Sequence, residues 1–140
     1  MGARTKARKR ALDVLFEADQ RGVNAVDVLE DRLRNSGRET PLPAYSEEIV
    51  RGVARWWVEI NALVQQHSPD WTLPRMPAVD RALLRIATWE ILKAADVPAN
   101  VAISEAVELA KELSTDDSPS FVNGVLGAIV REAPALPSDS

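Results

Sequence analysis

"PAVDRALLRIATWEILKAADVP", residues 77–98, decides the fold: it opens a helix just after one proline and ends just before another. Between them Val79, Leu83, Leu84, Ile86, Trp89, Ile91 and Leu92 fall around almost the whole circumference of a helix with 3.6 residues per turn. A helix without a polar side must be covered from several directions, so the stretch predicts the central helix of a bundle. Asp80 and Glu90 lie within its apolar arc, where a charge is costly unless it is paired or at an edge. For Glu90 the pattern predicts an internal partner: Arg81, Arg85 or another base.

Working outward, every other segment reads as helix or connection. From Thr5 to Ala18 the residues Ala7, Ala11, Leu12, Val14, Leu15, Phe16 and Ala18 share one side, opposite Lys9, Arg10, Asp13 and Glu17. Arg21-Gly22 ends that helix, and Asn24 caps a short one using Val26, Leu29 and Leu33. "NSGRETPLP" (35–43) reads as a loop. Tyr45, Ile49, Val53, Trp56, Ile60 and Leu63 recur at spacings of three and four, predicting one helix, the longest of the chain, ending near His67. "HSPDWTLPRMP" (67–77) holds three prolines and reads as a structured connection anchored by Trp71 and Leu73. Residues 101–113 set a broad apolar face against a strip of Ser104, Glu105, Glu108, Lys111 and Glu112. No segment alternates with a period of two, so the predicted fold class is all-α, a compact helical bundle. One domain over 1–132 and a short disordered tail at 133–140 complete the expected organisation.

Composition removes several kinds of chemistry. The 140 residues include no cysteine and a single histidine, His67, so thiolate metal sites, cysteine nucleophiles and histidine triads are not expected, nor is a metal or cofactor. No apolar run approaches membrane-spanning length, which predicts a soluble cytoplasmic protein without membrane contact. The formal net charge of -4 hides an asymmetry, because Arg4, Lys6, Arg8, Lys9 and Arg10 all precede the first acid, Asp13. A basic arm on an acidic body meets a polyanion only locally, or alongside a basic partner. Arg and Lys at an exposed helix start suit phosphate contact, and equally suit a solvated helix end.

"STDDSPSFVNGVLGAIV", residues 114–130, opens another helix with Asp116, Asp117 and Ser118 as helix starters and a proline tolerated in the first turn. Phe121, Val122, Val125, Leu126, Ile129 and Val130 form its apolar half; Ser120, Asn123, Gly124 and Gly127 cluster opposite. Two glycines cost a helix about 2 kcal/mol relative to alanines, so this flat face calls for a close neighbour. Either a helix of the same bundle or a binding partner fills that role. Phe16 and Phe121 likewise have two readings: core residues, or edge-placed rings on which single-stranded RNA bases stack.

The succession of "LLRIATWEIL", "DVP", "VAISEAVELAKELS" and "DDSPSFVNGVL", with an arginine-rich start before "ALDVLFEA", closely resembles the NusB transcription antitermination factor family. The resemblance spans nearly the whole chain, with residues 21–76 matching mainly as helix and loop pattern. It implies two packed three-helix halves and a non-enzymatic role. That role is binding boxA RNA jointly with NusE, a small-subunit ribosomal protein, within the transcription elongation complex on ribosomal RNA operons. It raises phosphate contact as the role of Arg4, Lys6, Arg8, Lys9 and Arg10. It also places Asp117 and Phe121 on the RNA surface, beside Asn123, with Phe16 as a further candidate ring. Asp117 would read base amino groups, since a carboxylate accepts hydrogen bonds while repelling phosphate. For Asp80, at the first turn of the central helix, the resemblance implies a place on the NusE surface, near Arg81, Glu105 and Glu108. Competing readings are a protein-interaction module or homodimer with an incidental basic arm, and a stand-alone relative of the helical domain of ribosomal RNA methyltransferases.

Overall fold

A computed structural model describes residues 2–35 and 40–132; the expected tail at 133–140 and part of the expected 35–43 loop lie outside them. Among the described residues there are seven α-helices, one 3-10 turn and no strand. They are α1 (Ala3–Arg21), α2 (Ala25–Arg34), α3 (Ala44–Arg55), α4 (Trp57–Gln66), the turn Leu73–Arg75, α5 (Ala78–Lys93), α6 (Ala99–Leu113) and α7 (Ser118–Glu132). The first three helices pack on one another, as do α5, α6 and α7, and α1 and α3 join the halves by lying on α5. This is the all-α architecture of two three-helix halves, with α4 reaching from α3 to α5 and α7.

The central helix is what its composition predicts. Every residue from Ala82 to Glu90 is buried, and α5 touches α1, α3, α4, α6 and α7. Local chemistry sets the ends of its neighbours. Gly22 closes α1 at φ +67, a left-handed conformation that glycine adopts without strain, and the Val23 N–H reaches back to the Ala18 carbonyl at 3.0 Å. The Asn24 side chain then accepts from the Val26 N–H at 2.8 Å and starts α2. Leu33 and Val130, counted with apolar faces in the sequence, are exposed.

One expected helix is two. The stripe from Tyr45 to Leu63 bends at Trp56, whose φ of -104 and ψ of 27 leave the helical range. The hydrogen bonds Trp56 N–H to Gly52 carbonyl and Ile60 N–H to Trp56 carbonyl keep helical spacing across the bend, so the period of three and four runs on unbroken. The bend lets adjacent tryptophans part: Trp56 is buried, with Lys93 4.6 Å from its ring, and Trp57 faces outward under Arg85 at 4.3 Å. The connection after α4 is held as expected, with Trp71 and Leu73 half-buried and the Leu73 N–H donating to Gln65 Oε1 at 3.0 Å.

On α5 the Thr88 hydroxyl is fully buried without a hydrogen-bond partner. Thr88→Val removes that unsatisfied group while keeping the branched shape. Its urea unfolding free energy is expected to equal or exceed the parent's by up to about 1 kcal/mol.

Candidate nucleic-acid and partner interface

The basic start of α1 divides into an inward and an outward set. Arg8 is the inward one, only 4% exposed, and this corrects its expected place on a free surface. Its Nε donates to both Glu90 carboxylate oxygens at 2.9 and 3.1 Å, and a terminal nitrogen donates to Glu105 at 2.8 Å. The Tyr45 hydroxyl donates to the same Glu90 carboxylate, and Thr5 donates to Glu105. The Glu90 charge on the buried face of α5 therefore has its internal partner, and it is Arg8 in place of Arg81 or Arg85. Burial first, and then the hydrogen bond to Glu90, hold the Tyr45 phenol well above its usual pKa.

The outward set is Arg4, Lys6, Lys9 and Arg10. Arg4 pairs with Asp96 at 2.8 Å, which raises the arginine's pKa and lowers the aspartate's, and its guanidinium lies 4.2 Å from the Tyr45 ring centroid. Both partners are well exposed, so the pair adds little stability. Arg10 donates to the Thr40 hydroxyl and carbonyl at 3.2 and 3.1 Å. With Lys6 and Lys9 it lines an open groove shared with Asp13, Thr40, Pro41 and Pro43. Lys9 also pairs with Glu112 near the end of α6, which brings the basic groove toward the loop that enters α7.

At that loop Asp116 and Asp117 are exposed, and the Asp117 carbonyl accepts the Phe121 N–H at 3.1 Å. Phe121 is half-buried, its ring edge-on to Trp71 with centroids 4.9 Å apart. Asn123 and Gly124 are exposed. A Cβ built on Gly124 would meet nothing within 4 Å, and one on Gly127 only the Arg131 side chain at 3.4 Å. No helix of the bundle presses on this face, so of the two readings of the glycines internal packing falls away. Phe16 stands 38% exposed.

The expected partner face is not there. Asp80 has no exposed surface, and it accepts from the Ser114 hydroxyl at 2.6 Å and the Ser118 hydroxyl at 2.9 Å. The α6–α7 loop folds over the first turn of α5, a long-range contact that helix periodicity does not report. Arg81 is an internal strut, donating to the Met76 carbonyl at 2.6 Å and to Asp19 at 2.6 Å. Glu105 is committed to Arg8 and Thr5, leaving Glu108 exposed beside Lys111.

A different arginine went unread in the sequence. Arg85 is 8% exposed, donates from Nε to Asn61 at 2.8 Å, and among the described residues pairs with no carboxylate. Burial pushes its pKa down to about 10, so it stays charged at neutral pH. The signal was available, because a cation amid the all-round apolar pattern of α5 demands an account. No group of three or more potential metal-binding side chains occurs among the described residues, and no described helix is long and apolar enough to cross a membrane.

Comparison with known proteins agrees with this architecture. Residues 5–131 match the NusB family. The chain is 57% identical over 129 residues to the transcription antitermination protein NusB of Kineococcus radiotolerans, covering 92% of this chain and 93% of that one. It is 53% identical over 144 residues to the NusB of Beutenbergia cavernae, covering 97% and 94%. Among solved structures, T. maritima NusB superposes with a TM-score of 0.82 at 32% identity, covering 95% of this chain and 94% of that one. A chain from a complex of antitermination factors NusB and NusE with double-stranded RNA does so with a TM-score of 0.78 at 26% identity, covering 91% and 96%. By sequence over nearly its whole length and by fold, the chain belongs to the NusB family.

Proposed function

We propose that this protein is a cytoplasmic, non-catalytic antitermination factor that binds boxA RNA together with NusE and acts on the transcription elongation complex. One juxtaposition carries the reading. The outward cations of α1 line a groove that the Lys9–Glu112 pair joins to the loop bearing Asp117, and Phe121 and Asn123 follow within two turns of α7. Arg4, Lys6, Lys9 and Arg10 supply phosphate contacts and counterion release. Phe121 offers a ring for stacking, Phe16 a second one, and Asp117 and Asn123 offer hydrogen bonds to base edges. Arg8 takes no part in phosphate contact; it holds the helix that presents the others.

An RNA mobility shift at several salt concentrations, with and without NusE, tests the reading. Replacing Arg4, Lys6, Lys9 and Arg10 together by glutamine should lower the salt slope for single-stranded RNA by up to about 2.8. Phe121→Ala should lose about 1–3 kcal/mol of RNA affinity. An unchanged slope takes the arm out of the site. Equal RNA affinity with and without NusE overturns joint binding.

A further inference from the structure

The far end of α1 carries a second built surface. Leu15, Ala18, Gly22, Val23, Ala25, Ala54 and Trp57 wall a pocket, with Asp19, Asn24 and Arg85 as its polar lining. Lys9 and Asp19 are ten residues apart on α1, so this pocket lies about 15 Å along the helix from the basic groove. Asp19 is already matched by Arg81 at 2.6 Å. The Arg85 guanidinium is not matched: it lines the pocket over nine-tenths buried, with a neutral amide and the Trp57 ring as its partners. A buried cation without an anion is an unfavourable arrangement that an incoming carboxylate relieves. The mouth is apolar and open to solvent, with Val23 40% and Trp57 41% exposed and the adjacent Val58 74% exposed. Exposed apolar side chains gathered around a desolvated charge are the anatomy of a protein docking point, with an anchoring pocket and a water-excluding surround.

We propose that this pocket is where the protein partner docks, seating a carboxylate on Arg85 and an apolar side chain against Val23, Trp57 and Val58. The assignment rests on the antitermination reading, in which that partner is NusE. It puts protein and RNA on opposite ends of α1, so both can be held at once. It also replaces the surface expected at Asp80, which is buried.

Titration calorimetry of the full chain with purified NusE decides it, using the parent, Val58→Glu and Arg85→Met. Each substitution is expected to weaken NusE binding about tenfold or more. Thermal unfolding separates docking from folding: Val58→Glu should leave the melting temperature unchanged, and Arg85→Met should leave it unchanged or raise it, because a buried unmatched charge is removed. RNA binding by the isolated protein should not move. If the parent binds NusE and both variants bind it equally well, the pocket is not the docking point. If Arg85→Met lowers stability and binding together while Val58→Glu binds normally, Arg85 is structural and the assignment is overturned. A parent that fails to bind NusE at all removes the antitermination reading, and the assignment with it.

Discussion

Glu90→Ala should lower the unfolding free energy by about 3–5 kcal/mol, the usual cost of stranding one member of a buried ion pair. The substitution leaves the Arg8 guanidinium in the interior with Glu105 alone, and leaves the Tyr45 hydroxyl without its acceptor. A loss of that size is a large share of the roughly 5–15 kcal/mol that holds a domain together. Urea unfolding followed by helix circular dichroism measures it. The double substitution Arg8→Met with Glu90→Leu should recover much of the loss, since it removes both charges and keeps volume in the core. A Glu90→Ala protein as stable as the parent would mean that the pair is open to water in solution.

Gly52→Ala is expected to be as damaging for the opposite reason. A Cβ at this position would lie 2.1 Å from Nε1 and 2.3 Å from Cε2 of Trp89, a rigid ring that is itself buried. Neither α3 nor the indole can move aside without shifting the contact of α3 on α5. The loss should reach or exceed the upper end of the about 1–3 kcal/mol typical of overpacking, outweighing the gain of about 1 kcal/mol in helix propensity. Chemical denaturation gives the size of the effect, and near-ultraviolet circular dichroism reports whether the indole has moved. Trp89→Leu combined with Gly52→Ala should cost less than the sum of the two single changes. Strict additivity would show that the alanine does not strike the ring.

These two positions also show how far the sequence could be read. The apolar circumference of α5 is a property of one segment, so its central burial was legible, and with it the need for an internal partner at Glu90. Which cation answers that need was not, because Arg8 and Glu90 are 82 positions apart and the cluster around Arg8 reads as a uniform basic arm. Asp80 failed in the same way: its placement at a helix start suggested exposure, and two serines of a distant loop cover it. Gly52 gave no signal at all, since a glycine amid a helical stripe does not name the ring beside it. The bend at Trp56 stayed hidden because hydrogen-bond spacing continues through it. The open face of α7 was legible as two alternatives, and the empty space beside Gly124 selects between them.

The Arg8–Glu90 bond has a consequence beyond stability, as a rotational index for the first helix. Successive residues on α1 stand 100° apart, so a helix that slipped by a single position would swing Arg8 away from Glu90 and carry the neighbouring cations off their line. Because that slip would unpair a charge in the interior, the azimuth of Lys6, Lys9 and Arg10 is set before any ligand arrives. A polyanion meeting this face finds a charged ruler already at the right angle, and the freedom lost on contact is confined to side-chain tips.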